Sequence, residues 1–174
     1  MFRLQTPRLE LQELADADAA FILELLNTRG FLAHIGDRGV RTLDDARRYI
    51  AQGPAASYAA HGFGLWKVSL RSDGTPVGMS GLIRRDELPF PDLGYAFLPA
   101  HEGRGYASEA GAAALEFGSA PKGLARILAI VRPGNEASMR VLQKLGMGER
   151  GVVQMDHQAL HVFGRDAPVP PAMA

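Results

Sequence analysis

The chain has no cysteine. That excludes disulfides, a thiolate nucleophile and any cysteine-based zinc site. It also has no surplus of charge: 19 Lys+Arg stand against 19 Asp+Glu, a formal net charge of +0. Proteins that grip the phosphate backbone usually carry a basic excess, so nucleic acid is not the expected partner. Mixed-sign stretches such as "RTLDDARR" read as a solvated helix face instead. No apolar run approaches the ~20 residues of a membrane span, so no membrane partner is expected. The opening "MFRLQTPRLELQEL" lacks the basic start, apolar middle and small-residue site of a signal peptide, so a cytoplasmic location is expected.

What is present suits a packed core. Of 174 residues, 47% are hydrophobic and 22% charged, the balance of a globular chain of one domain. "RLELQEL" (8–14) alternates as a strand. "DADAAFILELLNT" (16–28) begins on an Asp cap and has helical spacing. Residues 29–42, with Gly30, Gly36 and Gly39, read as a loop. "TLDDARRYIAQG" (42–53) has a Thr cap and a closing glycine, predicting a second helix. Residues 62–71 and 75–85 predict a hairpin about "SDG", and 91–100 a strand stopped by Pro99. Residues 105–119 read as a helix, "ARILAIVR" (125–132) as a buried strand and 135–146 as a helix with an Asn cap and a Gly stop. Two closing strands are expected over 148–156 and 157–164, and the proline-rich 168–174 is expected to fray. The result is one α+β domain over 1–167, with about seven strands and about four helices. Its first strands are antiparallel, and a strand–helix–strand crossover follows.

The stretch "AHEGRG" joins the strand ending at Pro99 to the helix starting at about 105. Gly103 and Gly105 allow close backbone approach, and the helix start brings free N–H groups and a positive dipole end. A tight turn and an anion cradle suited to a pyrophosphate both fit, with Arg104 at the rim. Walker A chemistry is excluded, because Gly-Lys-Ser/Thr is missing. A dinucleotide fingerprint fails at Ser108, where it needs glycine, and at Arg132, where it needs an acid. Ala107, Gly111, Ala114 and Gly118 form a small-residue stripe that lets the helix sit close to the sheet. His157 and His161 are about 13 Å apart on a strand, and "HE" at 101–102 lacks a second His, so no metal site is expected.

"LGYAFLPAHEGRGYASEA" followed by "NEASMRVLQKLGM" resembles the GNAT superfamily of acetyl-CoA-dependent N-acetyltransferases. It is most similar to the branch holding the ribosomal-protein N-terminal alanine acetyltransferases. "TPRLELQELADADAAFILELLN" and "PVGMSGLI" resemble the family's opening strand and helix and its central hairpin. The family loop, Gln/Arg-x-x-Gly-x-Gly/Ala, is matched from Gly103 to Ala107, whereas Glu102 departs from it. The resemblance implies a mixed, mostly antiparallel sheet and acetyl-CoA as cosubstrate. Pantetheine would pair with backbone at Phe97 and Leu98 in a gap between splayed strands. The pyrophosphate would rest on Gly103, Arg104, Gly105, Tyr106, Ala107 and Ser108, and the thioester would lie near Asn135 and Ser138.

Acetyl transfer to an amine needs a neutral nucleophile, a stabilised oxyanion and a proton for the thiolate. An oxyanion donor is expected in a bulge at Phe97–Leu98. Many relatives carry a Tyr one turn beyond the position of Ser138, where this chain has Leu142. Ser138 is then either the replacement proton donor or only a support for its helix cap. Asp92 is either the base or a surface strand-end carboxylate. Tyr95 either lines the acceptor channel or belongs to the core. His34 and Asp37 are placed by resemblance near the acceptor, an amine of unnamed identity. A non-catalytic acyl-CoA-binding or regulatory domain is the competing reading. The family gives monomers and homodimers alike.

Overall fold

Leu9 and Leu11 are fully buried, while Glu10 and Gln12 beside them are not. That period of two makes β2 (Leu9–Gln12) a strand with one face on a core. A strand the composition did not announce precedes it: β1 (Arg3–Gln5) pairs antiparallel with β2. Phe2 anchors it by stacking on Trp66, with centroids 4.8 Å apart. The computed structural model describes residues 2–167, and the tail expected to fray, 168–174, lies outside them.

The remaining strands are β3 (Leu65–Leu70), β4 (Pro76–Ile83), β5 (Asp92–Phe97), β6 (Arg126–Val131), β7 (Gly148–Met155) and β8 (Gln158–Asp166). They form one eight-stranded sheet in the order β1-β2-β3-β4-β5-β6-β8-β7. Every neighbouring pair is antiparallel except β5–β6. The helices are α1 (Ala19–Leu26), α2 (Arg29–His34), α3 (Leu43–Ile50), α4 (Ala56–His61), α5 (Tyr106–Ser119) and α6 (Glu136–Lys144). This is the α+β architecture that the element order predicts, with one more strand.

Two stretches differ from the sequence reading. Residues 29–42 are not all loop: Thr28 caps α2 by accepting from the Phe31 N–H, and buried Phe31 fastens it. Three glycines masked that short helix. The second helix does not stop at Gly53, because a π-helical turn over Ala51–Ala55 carries α3 into α4. The left-handed stop is Gly62.

The sheet separates two cores. On one face α5 and α6 cover Leu82, Leu93, Ile127 and Ala129 with Ala110, Ala114, Leu115 and Leu142. On the other, α1 to α3 gather Ile22, Leu25, Leu26, Phe31 and Ile50 over Met79. α5 lies close to the sheet because its stripe has no bulk. A Cβ on residue 111 would fall 2.9 Å from Leu145 Cδ1, and one on residue 118 would fall 2.6 Å from Ile127 Cδ1.

Candidate active site

The β5–β6 pair is joined by a single register match, Asp92 with Leu128. Beyond it no further pairing occurs among the described residues, and a gap opens between the two strands. The β4–β5 register, by contrast, is unbroken from Gly78–Phe97 to Ile83–Asp92. The Leu98 N–H continues it by donating to Val77 O at 2.9 Å. Antiparallel alternation then turns the N–H and C=O of Tyr95 and Phe97 the other way, into the gap. This corrects the expected bulge at Phe97–Leu98. The sheet's irregularities lie at Val68/Ser69 and Glu149/Gly151, the Leu98 donor is engaged with Val77, and of the two residues only Phe97 offers the gap its backbone.

At the mouth, Pro99–His101 form one 3-10 turn, and the chain reverses through Gly103 (φ +71°) and Gly105 (φ +80°) into α5. Those left-handed angles are why glycine stands there. The N–H groups of Gly103, Arg104, Gly105, Tyr106, Ala107 and Ser108 meet no acceptor among the described residues. Six unpaired donors at the positive end of a 14-residue helix make a strong place for an anion. The Arg104 side chain is exposed at the rim. Glu102, the departure from the family loop, reaches α2 instead: its Oε1 lies 3.8 Å from where a Cβ on residue 30 would be.

A cavity of about 1110 Å³ runs from this loop through the gap to α2. Deep in it, the Tyr95 hydroxyl and Ser138 Oγ are 2.7 Å apart. The two come from β5 and α6 and are 43 residues apart in sequence. Burial pushes the Tyr95 phenol up to about 12, against the lowering effect of its Ser138 hydrogen bond. Asn135 Oδ1 accepts from the Ser138 N–H at 3.2 Å, which fixes the first turn of α6. Leu142 is fully buried in the core and presents no acid.

Asp92 also lines the cavity, but it is no surface carboxylate: it is 1% exposed. Arg85 Nε donates to its Oδ1 at 2.9 Å. Desolvation outweighs that partner and pushes the carboxyl up to about 6. Alternation along β5 turns Asp92 to the face opposite Tyr95, so the two reach the cavity from different sides of the sheet. His34 lines the α2 end, whereas Asp37 is outside the lining and pairs with Arg41. His157 occupies the β7–β8 turn and His161 bonds Glu149 at 3.0 Å, and neither lines the cavity.

Three cavity residues were not among the site residues expected from the sequence. Arg132 at the end of β6 donates to Ala33 O at 2.8 Å and so ties down α2. Tyr49 and Arg38 also line the cavity. Burial raises the Tyr49 phenol despite the opposing charges of Arg38 and Arg85. No local motif marks any of the three, since they converge from separate elements.

Residues 8–148 match the acetyltransferase (GNAT) domain family. An uncharacterized N-acetyltransferase of Bacillus subtilis, YoaA, is 30% identical over 152 residues, covering 87% of this chain and 85% of its own. The crystal structure of an acetyltransferase from Agrobacterium tumefaciens superposes with a TM-score of 0.82 at 25% identity, covering 95% of this chain and 94% of its own. A ribosomal-protein α-N-acetyltransferase solved in complex with coenzyme A, RimL, gives a TM-score of 0.82 at 12% identity and the same fold, covering 95% of this chain and 98% of its own. With its splayed β5–β6 pair, its glycine loop and a family match over most of its length, the chain belongs to the GNAT acetyltransferase family.

Proposed function

We propose that this protein is an acetyl-CoA-dependent N-acetyltransferase that moves the acetyl group to a primary amine by direct attack in a ternary complex. One observation carries the reading: a single cavity joins five of the six loop residues with unpaired N–H groups, Gly103 and Gly105 to Ser108, to the Tyr95–Ser138 pair through an unzipped strand gap. The pyrophosphate would rest on Gly103 to Ser108, and the pantetheine arm would pair with the Phe97 backbone. The thioester would then lie beside Ser138, whose helix start Asn135 holds in place.

The proton for the departing thiolate has a short route. Tyr95 O–H donates to Ser138 Oγ, and the Ser138 proton is then free to pass to sulfur. A backbone N–H on the gap side of β5, at Tyr95 or Phe97, would stabilise the oxyanion. The amine proton would leave through water toward the Asp92 carboxylate, which is ionised above about pH 6. An α-amine with pKa near 8 is roughly a tenth neutral at pH 7, whereas a lysine-type amine is only about 0.1% neutral. A protein N-terminus therefore demands less of this base than a side-chain amine. It is the favoured acceptor in the reading, with small-molecule amines next and a cytoplasmic setting expected.

Leu142, in place of the family's tyrosine, favours one competing reading, a domain that binds acyl-CoA without turning it over. Calorimetric titration with acetyl-CoA, followed by free-thiol release against a panel of amines and short peptides with free N-termini, separates the two. Binding with amine-dependent thiol release supports the enzyme. Binding without release supports the sensor. Absence of binding sinks both.

A further inference from the structure

The turn Thr6-Pro7-Arg8 joins β1 to β2 at one edge of the sheet, three strands from the splayed pair, yet it lies against the first turn of α5. Glu109 reaches back to it. Glu109 Oε1 accepts from Thr6 Oγ1 at 2.6 Å and from the Arg8 N–H at 2.9 Å, and its Oε2 accepts from Arg8 Nε at 2.6 Å. Arg8 Nη1 donates onward to the carbonyl oxygen of Arg104 at 2.9 Å. The guanidinium lies 4.7 Å from the centroid of the Tyr106 ring, and Nη2 is 3.4 Å from where a Cβ on residue 105 would be. One side chain and its carboxylate partner thus hold residues 104, 106 and 109 together.

That grip has a directional consequence. In a planar trans peptide the C=O of residue 104 and the N–H of residue 105 point opposite ways. Fixing the Arg104 carbonyl on Arg8 therefore turns the Gly105 N–H away from the β1–β2 turn. Two left-handed glycines would otherwise leave this loop many conformations. We propose that Arg8 is a positioning residue for the cosubstrate: through the Arg104 carbonyl and through Glu109 it sets the loop N–H groups toward the pyrophosphate. This rests on the reading of that loop as the pyrophosphate site.

The test compares two ligands that share the pantetheine arm. Coenzyme A carries the pyrophosphate and nucleotide, and pantetheine does not. Wild type, Arg8→Ala and Arg8→Lys are titrated with both, pantetheine by competition. In Arg8→Ala the coenzyme A affinity should fall by roughly tenfold or more, the worth of a charge-assisted hydrogen bond. Its pantetheine affinity should stay within about twofold. Arg8→Lys, which keeps a cation for Glu109 but not the forked reach to Arg104, should fall between. Unchanged coenzyme A affinity in Arg8→Ala, or parallel weakening of both ligands, overturns the proposal. If Arg8→Ala does not fold, Glu109→Gln carries the same comparison. Wild type that binds pantetheine but gains nothing from the pyrophosphate overturns the loop reading itself, and Arg8 with it.

Discussion

Two hydroxyls and one carboxylate carry the proposed chemistry at the scale of single residues. Tyr95 and Ser138 act as a unit if one feeds the other its proton. Tyr95→Phe should then lower kcat by roughly 10²-fold, the usual size of a positioned acid's contribution. The acetyl-CoA dissociation constant should stay within about twofold. Ser138→Ala should cost a similar amount, and the double variant little more than either single one, because both break one route. Additive losses in steady-state kinetics would show that the two hydroxyls act separately. Asp92 makes a second prediction. Its carboxyl is raised to about 6 because burial disfavours the charged form. The activity should therefore fall as pH drops through about 6, and Asp92→Asn should lose that limb of the kcat/KM profile. The stability effect has the opposite slope. A buried acid with a raised pKa favours the fold most at acid pH and loses that contribution as pH rises through the interval from about 4 to about 6. Urea midpoints of wild type relative to Asp92→Asn should decline across that interval. Neither the Tyr95–Ser138 contact nor the burial of Asp92 was legible in the sequence. Both depend on β5 and α6 being brought together, and sequence spacing does not report that.

At the scale of elements, α5 was the most legible part of the chain. Its glycine loop, start and small-residue stripe all have local causes, and the structure has them at 106–119. The stripe is not uniform, however. At Gly111 the close neighbour is the tip of Leu145, and Leu93 Cδ2 stands at 3.5 Å, whereas Gly118 faces Ile127, Leu82 and Leu124 at 2.6, 2.8 and 3.3 Å. Gly111→Ala should be close to neutral, because about 1 kcal/mol of helix propensity offsets a small shift of Leu145. Gly118→Ala should cost about 1–3 kcal/mol by overpacking. Denaturant unfolding of the pair checks this, and equal midpoints would count against the contact geometry. The elements misread from sequence were those whose signals are weak or mixed. α2 has six residues, with Gly30 inside it and Gly36 and Gly39 just beyond, and β1 has three and is held by Phe2 on Trp66 and by its pairing with β2.

The molecule as a whole is a sheet pried open at its middle. Antiparallel pairs on either side, β4–β5 and β6–β8, close their own hydrogen bonds, so the parallel β5–β6 junction can part without loss elsewhere. Two cores on opposite faces brace the opening, and Arg132 binds the α2 side to the end of β6. A ligand that fills the gap and contacts both halves should stabilise the whole fold by mass action, by about 2.7 kcal/mol at a hundredfold excess over its dissociation constant. The thermal midpoint should accordingly climb with acetyl-CoA concentration, and a flat response at saturating ligand would mean that the gap is not its site. Composition and periodicity by themselves determined the α+β class, the crossover and the loop at 99–108, because those follow from side-chain spacing, glycine geometry and helix ends, all local in the chain. Tertiary structure alone decided that Leu98 is tied to Val77, that Asp92 is buried beside Arg85, that Tyr95 meets Ser138 and that Arg8 grips the start of α5. Each of these joins residues through the packing of separate elements, and the distance between elements is set by the two cores rather than by any neighbour in sequence.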